Sequence, residues 1–190
     1  MTETKKNSGT TQTGCKGKIL TGYLIFSILL IVFDQWTKHL AVAKLRGKEA
    51  FVLIDGVFEL SYLENRGMAW GLLSGSRWLF LAGTLVVLVL IVYAFLKAPA
   101  TRRYTFLRFV LALVAAGAVG NMIDRMFNGY VVDFFSFVLI SFPIFNVADC
   151  YVVVGGILFI LVFLFYYKEE ELSVLLPGRR EKQTHKGEEL

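Results

Sequence analysis

Four long stretches without a charged residue constrain this chain more than any other feature. Trp78–Leu96 has nineteen such residues and Cys150–Tyr167 has eighteen, while Ile19–Phe33 and Phe109–Ile123 have fifteen each before an aspartate follows. A helix needs about 20 mostly apolar residues to cross a bilayer, and in lipid its backbone polar groups must bond internally. The stretches therefore predict an all-α membrane protein, a four-transmembrane-helix bundle. Its spans are predicted at about residues 19–43, 77–96, 107–125 and 146–167.

The overall composition agrees with a membrane protein. Of the 190 residues, 56% are hydrophobic and 18% are charged, whereas a soluble domain has about 25% charged residues. The length suits one small bundle rather than several domains. Basic residues cluster at the ends of the apolar stretches, which indicates membrane topology rather than nucleic-acid binding. No nucleic-acid partner is expected.

Loop charges predict the orientation of the bundle. Residues 1–18 contain four lysines and one glutamate, and Lys97–Arg108 contains four basic residues and no acid. The positive-inside rule places both segments in the cytoplasm. Residues 1–18 are therefore predicted to be a disordered cytoplasmic tail, residues 19–167 a single membrane domain, and residues 168–190 a polar cytoplasmic tail. The loop 123–149 has Arg125 as its one basic residue and is placed outside.

The segment between the first two spans is predicted to be rich in β-structure. FVLIDGVFELSYL, residues 51–63, is dominated by aromatic and aliphatic residues and contains the turn-forming pair Asp55-Gly56. This pattern predicts two strands joined by a turn. We expect a small extracytoplasmic β-rich cradle at about residues 50–72.

The first apolar stretch also has features of a secretory signal peptide. It follows a basic segment, and Ala41-Val42-Ala43 fits a small-residue cleavage site. DQWTKHL, residues 34–40, is long and charged for a cleavage region, and this favours a retained membrane span.

Three of the spans bring an acid to a similar predicted depth. Asp34 and Asp124 each follow fifteen uncharged residues, roughly 22 Å of helix at about 1.5 Å per residue. Asp149 lies roughly 27 Å above the far end of its span on the same count, and Asp133 lies in the outer loop and can fold onto this level. An ionisable group within a span costs about 2.5–3.5 kcal/mol. The cluster therefore predicts a functional site.

The residues alone leave open which acids do chemistry. Asp34 and Lys38 are four apart on one helix face and can form a structural pair. Two carboxyl groups close together share one proton, so one can act as a base and the other as an acid. The pattern Asn-x-x-Asp occurs at 121–124 and at 146–149, and an amide can orient a carboxyl group. HExxH and GxSxG motifs are absent from the sequence, so neither a metal nor another cofactor is expected.

Two other classes of protein also place carboxyl groups in a membrane. A proton-coupled transporter needs polar groups along a path to both surfaces, but the cytoplasmic halves of the four stretches carry no charge. A structural scaffold predicts a basic partner for each acid. Between Phe109 and Tyr167, three acids accompany Arg125 alone, and this excess of acid favours a chemical site.

Four blocks of sequence resemble the lipoprotein signal peptidase family, bacterial signal peptidase II. They are DQWTKHL at 34–40, NRGMAWG at 65–71, GNMIDRMFNGYVVDFF at 120–135 and FNVAD at 145–149. With the spans, the resemblance covers about residues 19–167. The second block departs from the family pattern at Trp70, where the family commonly has phenylalanine.

The resemblance implies a membrane aspartic endopeptidase that removes the signal peptide from diacylglyceryl-modified prolipoproteins, cutting just before the lipidated cysteine. It implies that Asp133 and Asp149 are the catalytic pair. The implied substrate-binding or support residues are Asn65, Gly67, Ala69, Asn121, Arg125, Asn146, Asp34, Lys38 and Asp124. The expected partners are these signal peptides and membrane lipids. We expect a monomer in the bacterial inner (cytoplasmic) membrane, with both termini in the cytoplasm and the active site near the outer face.

Overall fold

The computed structural model describes residues 8–67, 77–168 and 170–171. Within these ranges, four helices are long and apolar enough to cross a membrane, which confirms the predicted bundle. The helices are α1 (Ser8–Leu45), α2 (Arg77–Lys97), α3 (Thr105–Phe127) and α4 (Val147–Leu161). A 3₁₀ turn, Arg102–Tyr104, precedes α3, and a π-helical turn, Val162–Tyr166, continues α4.

Helix α1 begins earlier than predicted. Residues 8–18 were predicted to belong to a disordered tail, but they form the first turns of α1. A helix that is already formed extends at little cost, because each added residue adds one hydrogen bond without a new nucleation step. The apolar span therefore extends into the polar segment before it. Residues 1–7 of the predicted N-terminal tail lie outside the described residues, as does most of the predicted C-terminal tail.

Helix α3 forms the centre of the bundle and packs against the other three helices. It carries ten buried residues, whereas α2 carries none. Glycines allow the closest approaches: a Cβ atom on Gly117 would collide with the carbonyl oxygen of Ala148, and one on Gly155 would lie 2.5 Å from Val114. Small residues let helix backbones come close together in membranes, so α3 and α4 pack with little space between them.

A small antiparallel sheet lies at one end of the bundle. Its strands are β1 (Phe51–Ile54), β2 (Phe58–Asn65) and β3 (Val131–Phe137), in that spatial order. The first two confirm the predicted strands, and Gly56 between them has φ +68°, a left-handed conformation that glycine adopts readily. Strand β3 was not predicted. The predicted β-rich segment extended to residue 72, and its part from 68 onwards lies outside the described residues.

A hydrophobic cluster fixes the sheet to the bundle. It joins Ala41 and Leu45 of α1, Val132 and Phe134 of β3, and Val147 at the start of α4. Burial of apolar side chains stabilises such contacts by about 25 cal/mol per Å² where they are removed from water. The cluster brings β3 and the first turn of α4 together beside α1.

Candidate active site

Asp133 lies on strand β3, and its side chain is 1% exposed. The prediction that it lies in a loop was wrong, because the β-branched and aromatic residues around it favour a strand. Asp133 pairs with Leu63 of β2, next to a shift in strand register between Leu60 and Leu63. Such bulges change the direction of nearby side chains. The strand thus presents this carboxyl group towards the helices.

Asp149 is the third residue of α4 and belongs to the cap of that helix. Asn146 is the N-cap residue: its side-chain oxygen accepts from Asp149 N at 3.0 Å, and Asp149 Oδ2 accepts from Asn146 N at 3.1 Å. This reciprocal arrangement is a capping box. The predicted span at about residues 146–167 included Asn146 as its first residue. Asn146 is instead extended and precedes the helix, because its side chain caps the helix from outside.

Three asparagine side chains hold the two carboxyl groups. Asn65 Nδ2 donates to Asp133 Oδ2 at 2.8 Å, and Asn146 Nδ2 donates to Asp133 Oδ1 at 2.6 Å. Asn121 Nδ2 donates to Asp149 Oδ1 at 2.7 Å. Asn146 Nδ2 also lies 3.1 Å from Asn121 Oδ1. Residues from β2, α3 and the α4 cap therefore orient both acids, although they are far apart in sequence.

Lys38 is the centre of a buried ionic cluster next to these asparagines. Its Nζ atom lies 2.9 Å from Asp34 Oδ2, 3.1 Å from Asp124 Oδ2 and 3.0 Å from Asn121 Oδ1. Lys38 is 2% exposed and Asp34 0%. The pair expected from the sequence is thus a cluster of two acids and one base. Because an unpaired buried charge is strongly destabilising, each member of this cluster depends on the others.

The two acids of this cluster also bind backbone groups next to the catalytic candidates. Asp34 Oδ1 accepts from Ala148 N at 2.8 Å, and Asp124 Oδ2 accepts from Val132 N at 3.1 Å. Ala148 precedes Asp149, and Val132 precedes Asp133. The cluster therefore fixes the two backbone positions from which Asp149 and Asp133 extend.

Gln35 is a site residue that the sequence analysis missed. Its Nε2 atom lies 3.2 Å from Asp34 Oδ2, 3.2 Å from Gly120 O and 3.3 Å from Asp124 Oδ1. The available signal was a polar amide next to Asp34 within a membrane span. Gly120 is needed at this contact, because a Cβ atom there would lie 2.6 Å from Asp34 Oδ2.

Arg125 lines the side of the site that faces α2. Its guanidinium group lies 4.8 Å from the centre of the Phe80 ring, and Nη2 is 3.4 Å from Gly67 O. Gly67 N donates to Asn65 Oδ1 at 3.0 Å, which links this wall to the residue that holds Asp133. Ala69, the remaining predicted site residue, lies outside the described residues.

The environment of Asp133 favours its protonated form. Burial, and after it the negative charge of Asp149, raise the pKa of Asp133 to about 7. Hydrogen bonds from Asn65 and Asn146 and the charge of Lys38 act in the opposite direction. Two neighbouring acids with different environments can serve as a proton donor and a proton acceptor. Within the described ranges, no three His, Cys, Asp or Glu side chains are grouped as metal ligands.

Comparison with known proteins identifies the family of the chain. The model of the family described as signal peptidase (SPase) II matches residues 26–165. The chain belongs to the signal peptidase II family. Family membership, together with the four apolar helices, makes it a protease that crosses the bacterial inner membrane several times.

Relatives in this family cover most of the chain. It is 43% identical to a lipoprotein signal peptidase of Brevibacillus brevis over 143 residues, 75% of this chain and 95% of that protein. It is 38% identical to a lipoprotein signal peptidase of Enterococcus faecalis over 156 residues, 82% of this chain and 94% of that protein.

Two solved structures of bacterial membrane enzymes have the same fold. One is 35% identical with a TM-score of 0.67, and the match covers 76% of this chain and 88% of the other. The second is 33% identical with a TM-score of 0.68, and the match covers 77% of this chain and 95% of the other. The chain therefore shares its overall fold with both of these membrane enzymes.

Proposed function

We propose that this signal peptidase II is an aspartic endopeptidase that cleaves diacylglyceryl-modified prolipoproteins just before the lipidated cysteine. The observation that carries the proposal is the placement of Asp133 and Asp149, which are bound by different groups of the same residue, Asn146. The names of the relatives, lipoprotein signal peptidases, support prolipoproteins as substrates.

In the proposed mechanism, Asp149 is the general base. It accepts hydrogen bonds from Asn121 Nδ2 and from Asn146 N, and it lies in the first turn of α4. Donated hydrogen bonds and the positive end of a helix dipole both favour a negative charge. Ionised Asp149 takes a proton from a water molecule, and the water oxygen forms a bond to the carbonyl carbon of the scissile peptide.

Asp133 is the general acid in this mechanism. Its pKa of about 7 lets it hold a proton at neutral pH, and this proton passes to the carbonyl oxygen as water attacks. When the tetrahedral intermediate breaks, the C–N bond is lost and the leaving nitrogen receives the proton held by Asp149. The hydroxyl group returns a proton to Asp133. The pair is then in its starting state without a covalent intermediate.

The polar wall beside the pair is proposed to bind the peptide. Arg125 is half-buried near the two acids, and a guanidinium group can donate several hydrogen bonds to carbonyl oxygens. Gly67 belongs to the same wall, because its O atom lies 3.4 Å from Arg125 Nη2. The residues that bind the two acids come from a single chain, so we propose that a monomer is sufficient for activity.

We propose that the termini are cytoplasmic and that the site faces the outer leaflet. Two observations support this proposal: the helices of membrane-spanning length in the described residues are even in number, and Lys97–Arg108, between the second and third of them, carries positive charge. The diacylglyceryl group of the substrate would then lie at the level of the pair. Burial of acyl chains contributes about 0.8 kcal/mol per CH₂, which positions the peptide for cleavage.

Cleavage of a defined substrate by the purified chain tests this proposal. The substrate is a synthetic prolipoprotein peptide with a diacylglyceryl cysteine, and mass spectrometry identifies the products. We expect cleavage at the bond just before the cysteine, and much slower cleavage of the same peptide without lipid. An Asp133→Asn variant purified in parallel controls for contaminating peptidases. Cleavage at another bond, or equal rates with and without lipid, contradicts the proposed specificity.

A further inference from the structure

Asn121 connects the Lys38 cluster to the catalytic candidates. Its Oδ1 atom lies 3.0 Å from Lys38 Nζ and 3.1 Å from Asn146 Nδ2, and its Nδ2 atom donates to Asp149 Oδ1 at 2.7 Å. A carboxamide has one acceptor end and one donor end. Rotation of this group by 180° would turn its donors towards an ammonium group and its oxygen towards a carboxylate. The observed orientation is therefore the one that satisfies all three neighbours.

We infer that Lys38 is a positioning residue of the peptidase site, because its ammonium group fixes the Asn121 carboxamide with the donor end towards Asp149. The inference rests on the proposed function. An ammonium group has donors and no acceptor, so it can bond only the oxygen end of the amide. Two of its contacts, to Asp34 and Asp124, keep Nζ in place, and the third, to Asn121, transmits the orientation.

A second amide, that of Asn146, links Asn121 to Asp133. Asn146 directs Nδ2 towards Asn121 Oδ1 and Asp133 Oδ1, while its own oxygen accepts from Asp149 N. The ammonium of Lys38 and the backbone N–H of Asp149 are both donors that cannot reverse their polarity, and they fix the amides of Asn121 and Asn146 respectively. Lys38 thus determines which atom of Asn121 faces Asp149, although its own bonds are to Asp34, Asp124 and Asn121.

Charge adds a second effect of Lys38 on the pair. Its positive charge lowers the pKa of Asp133, against burial and the charge of Asp149, which raise it. The neighbouring charged groups also include Arg125, Asp124 and Asp34. Loss of the Lys38 charge therefore moves the alkaline limb of the pH–activity profile to higher pH. A residue that only stabilised the fold would leave the position of this alkaline limb unchanged in the folded protein.

The test uses a variant that removes Lys38 without leaving an extra buried charge. Lys38→Met alone leaves two buried carboxylates without their cation, which destabilises the fold. In Asp34→Asn/Lys38→Met one charge of each sign is removed, so the net charge of the cluster is unchanged, and the new amide can still accept from Ala148 N. We expect this variant to fold, with KM close to that of the wild type and kcat lower by about 10- to 100-fold, because a displacement of about 1 Å in a catalytic group can cost about 100-fold in rate.

A double-mutant cycle separates positioning from general support. The same pair of substitutions is made in an Asn121→Ala background, where the amide that Lys38 orients is already absent. Coupled residues give non-additive effects, so we expect the pair to lower kcat there by less than about 3-fold. In the Asn121→Ala background, the same pair of substitutions should move the alkaline limb of the kcat/KM profile to higher pH, because loss of the Lys38 charge raises the pKa of Asp133. Thermal unfolding in one detergent checks that all variants are folded.

Equal losses of kcat in both backgrounds, or wild-type kcat in the folded Asp34→Asn/Lys38→Met variant, would overturn the inference. Where that variant yields too little folded protein, Asp34→Asn/Lys38→Gln is used in the same cycle, because glutamine fills the site but can present either end of its amide. Failure of the wild-type chain to cleave the lipidated substrate contradicts the proposed function instead.

Discussion

Asn146 donates a hydrogen bond of 2.6 Å to the carboxyl group of Asp133 while it caps helix α4. One residue thus has two separable roles. Serine caps a helix about as well as asparagine, whereas alanine costs about 0.5–2 kcal/mol at this position. Neither replacement supplies the amide donor to Asp133.

We therefore expect Asn146→Ser to keep near wild-type thermal stability and to lower kcat by roughly 10- to 100-fold, because the carboxyl group of Asp133 is no longer held in place. Asn146→Ala should lower both the unfolding temperature and kcat. Unfolding temperatures and kcat are measured on the same preparations. A serine variant with normal turnover would show that the amide donor is not needed.

The catalytic pair should behave as a unit. Asp133→Asn and Asp149→Asn keep the shape of the side chain but cannot exchange a proton, so each should lower kcat by about 1,000-fold or more, and the double variant should be scarcely worse. Asp124→Asn is the comparison, because Asp124 bonds Lys38 and Val132 N and lies outside the pair. We expect Asp124→Asn to lower kcat by less than either variant of the pair. Near-normal turnover in either pair variant on lipidated substrate would reject the mechanism.

Activity should fall as the pH rises through the pKa of Asp133. That pKa is raised to about 7 by burial and by the charge of Asp149. Asp133 therefore carries the proton that it donates below this pH and has lost that proton above it. The profile of kcat/KM against pH is measured, because it reports ionisation in the free enzyme.

Asn65→Ala changes this profile in a defined direction. The Asn65 donor stabilises ionised Asp133 and lowers its pKa, so removal of the donor should move the alkaline limb to higher pH. The profile of kcat/KM against pH is measured for both proteins. A shift to lower pH would show that Asn65 does not act on Asp133 in this way.

Two glycine substitutions separate packing from helix propensity. A Cβ atom at Gly120 would lie 2.6 Å from Asp34 Oδ2 and 3.3 Å from Ala148 Cβ, whereas nothing lies within 4 Å of the corresponding position at Gly83. Overpacking costs about 1–3 kcal/mol, so Gly120→Ala should lower the unfolding temperature. Gly83→Ala should leave it unchanged or raise it slightly. Equal changes in unfolding temperature for the two variants would mean that α1 and α3 can move apart without a cost in the free energy of folding.

The orientation of the bundle can be tested at its last span. A reporter that is active only outside the cytoplasm, fused after Tyr167, should be inactive, and one fused between β1 and β2 should be active. The positive charges of Lys97–Arg108 predict this arrangement. The reverse pattern of reporter activity would invert the proposed topology.

The sequence predicted the parts of this fold that depend on local pattern. The four spans follow from uncharged runs, and β1 and β2 follow from neighbouring strand residues around a turn. Strand β3 was missed because it pairs with β2 residues that lie about 70 positions earlier, so no local signal joins them. A short strand between two spans was therefore interpreted as a loop.

The site was predictable in its charged residues and less so in its neutral ones. Charged groups in a membrane are conspicuous, so Asp34, Lys38 and Asp124 were found. Gln35 was missed because a neutral amide gives a weaker signal. The cap formed by Asn146 and Asp149 has a recognisable pattern, but the start of α4 was not known to fall between these residues. The contact of Asn65 with Asp133 links positions 68 residues apart, and only the fold reveals it.

Helix α2 differs from the other three helices, because it supplies none of the groups described above that hold the two acids. It has no buried residue and approaches the site through the Phe80 ring beneath Arg125. The groups that hold the two acids lie instead on α1, α3, α4 and the sheet. A sideways displacement of α2 would therefore alter the wall formed by Phe80 and Arg125, yet it would break none of the hydrogen bonds that asparagine side chains make to the two acids.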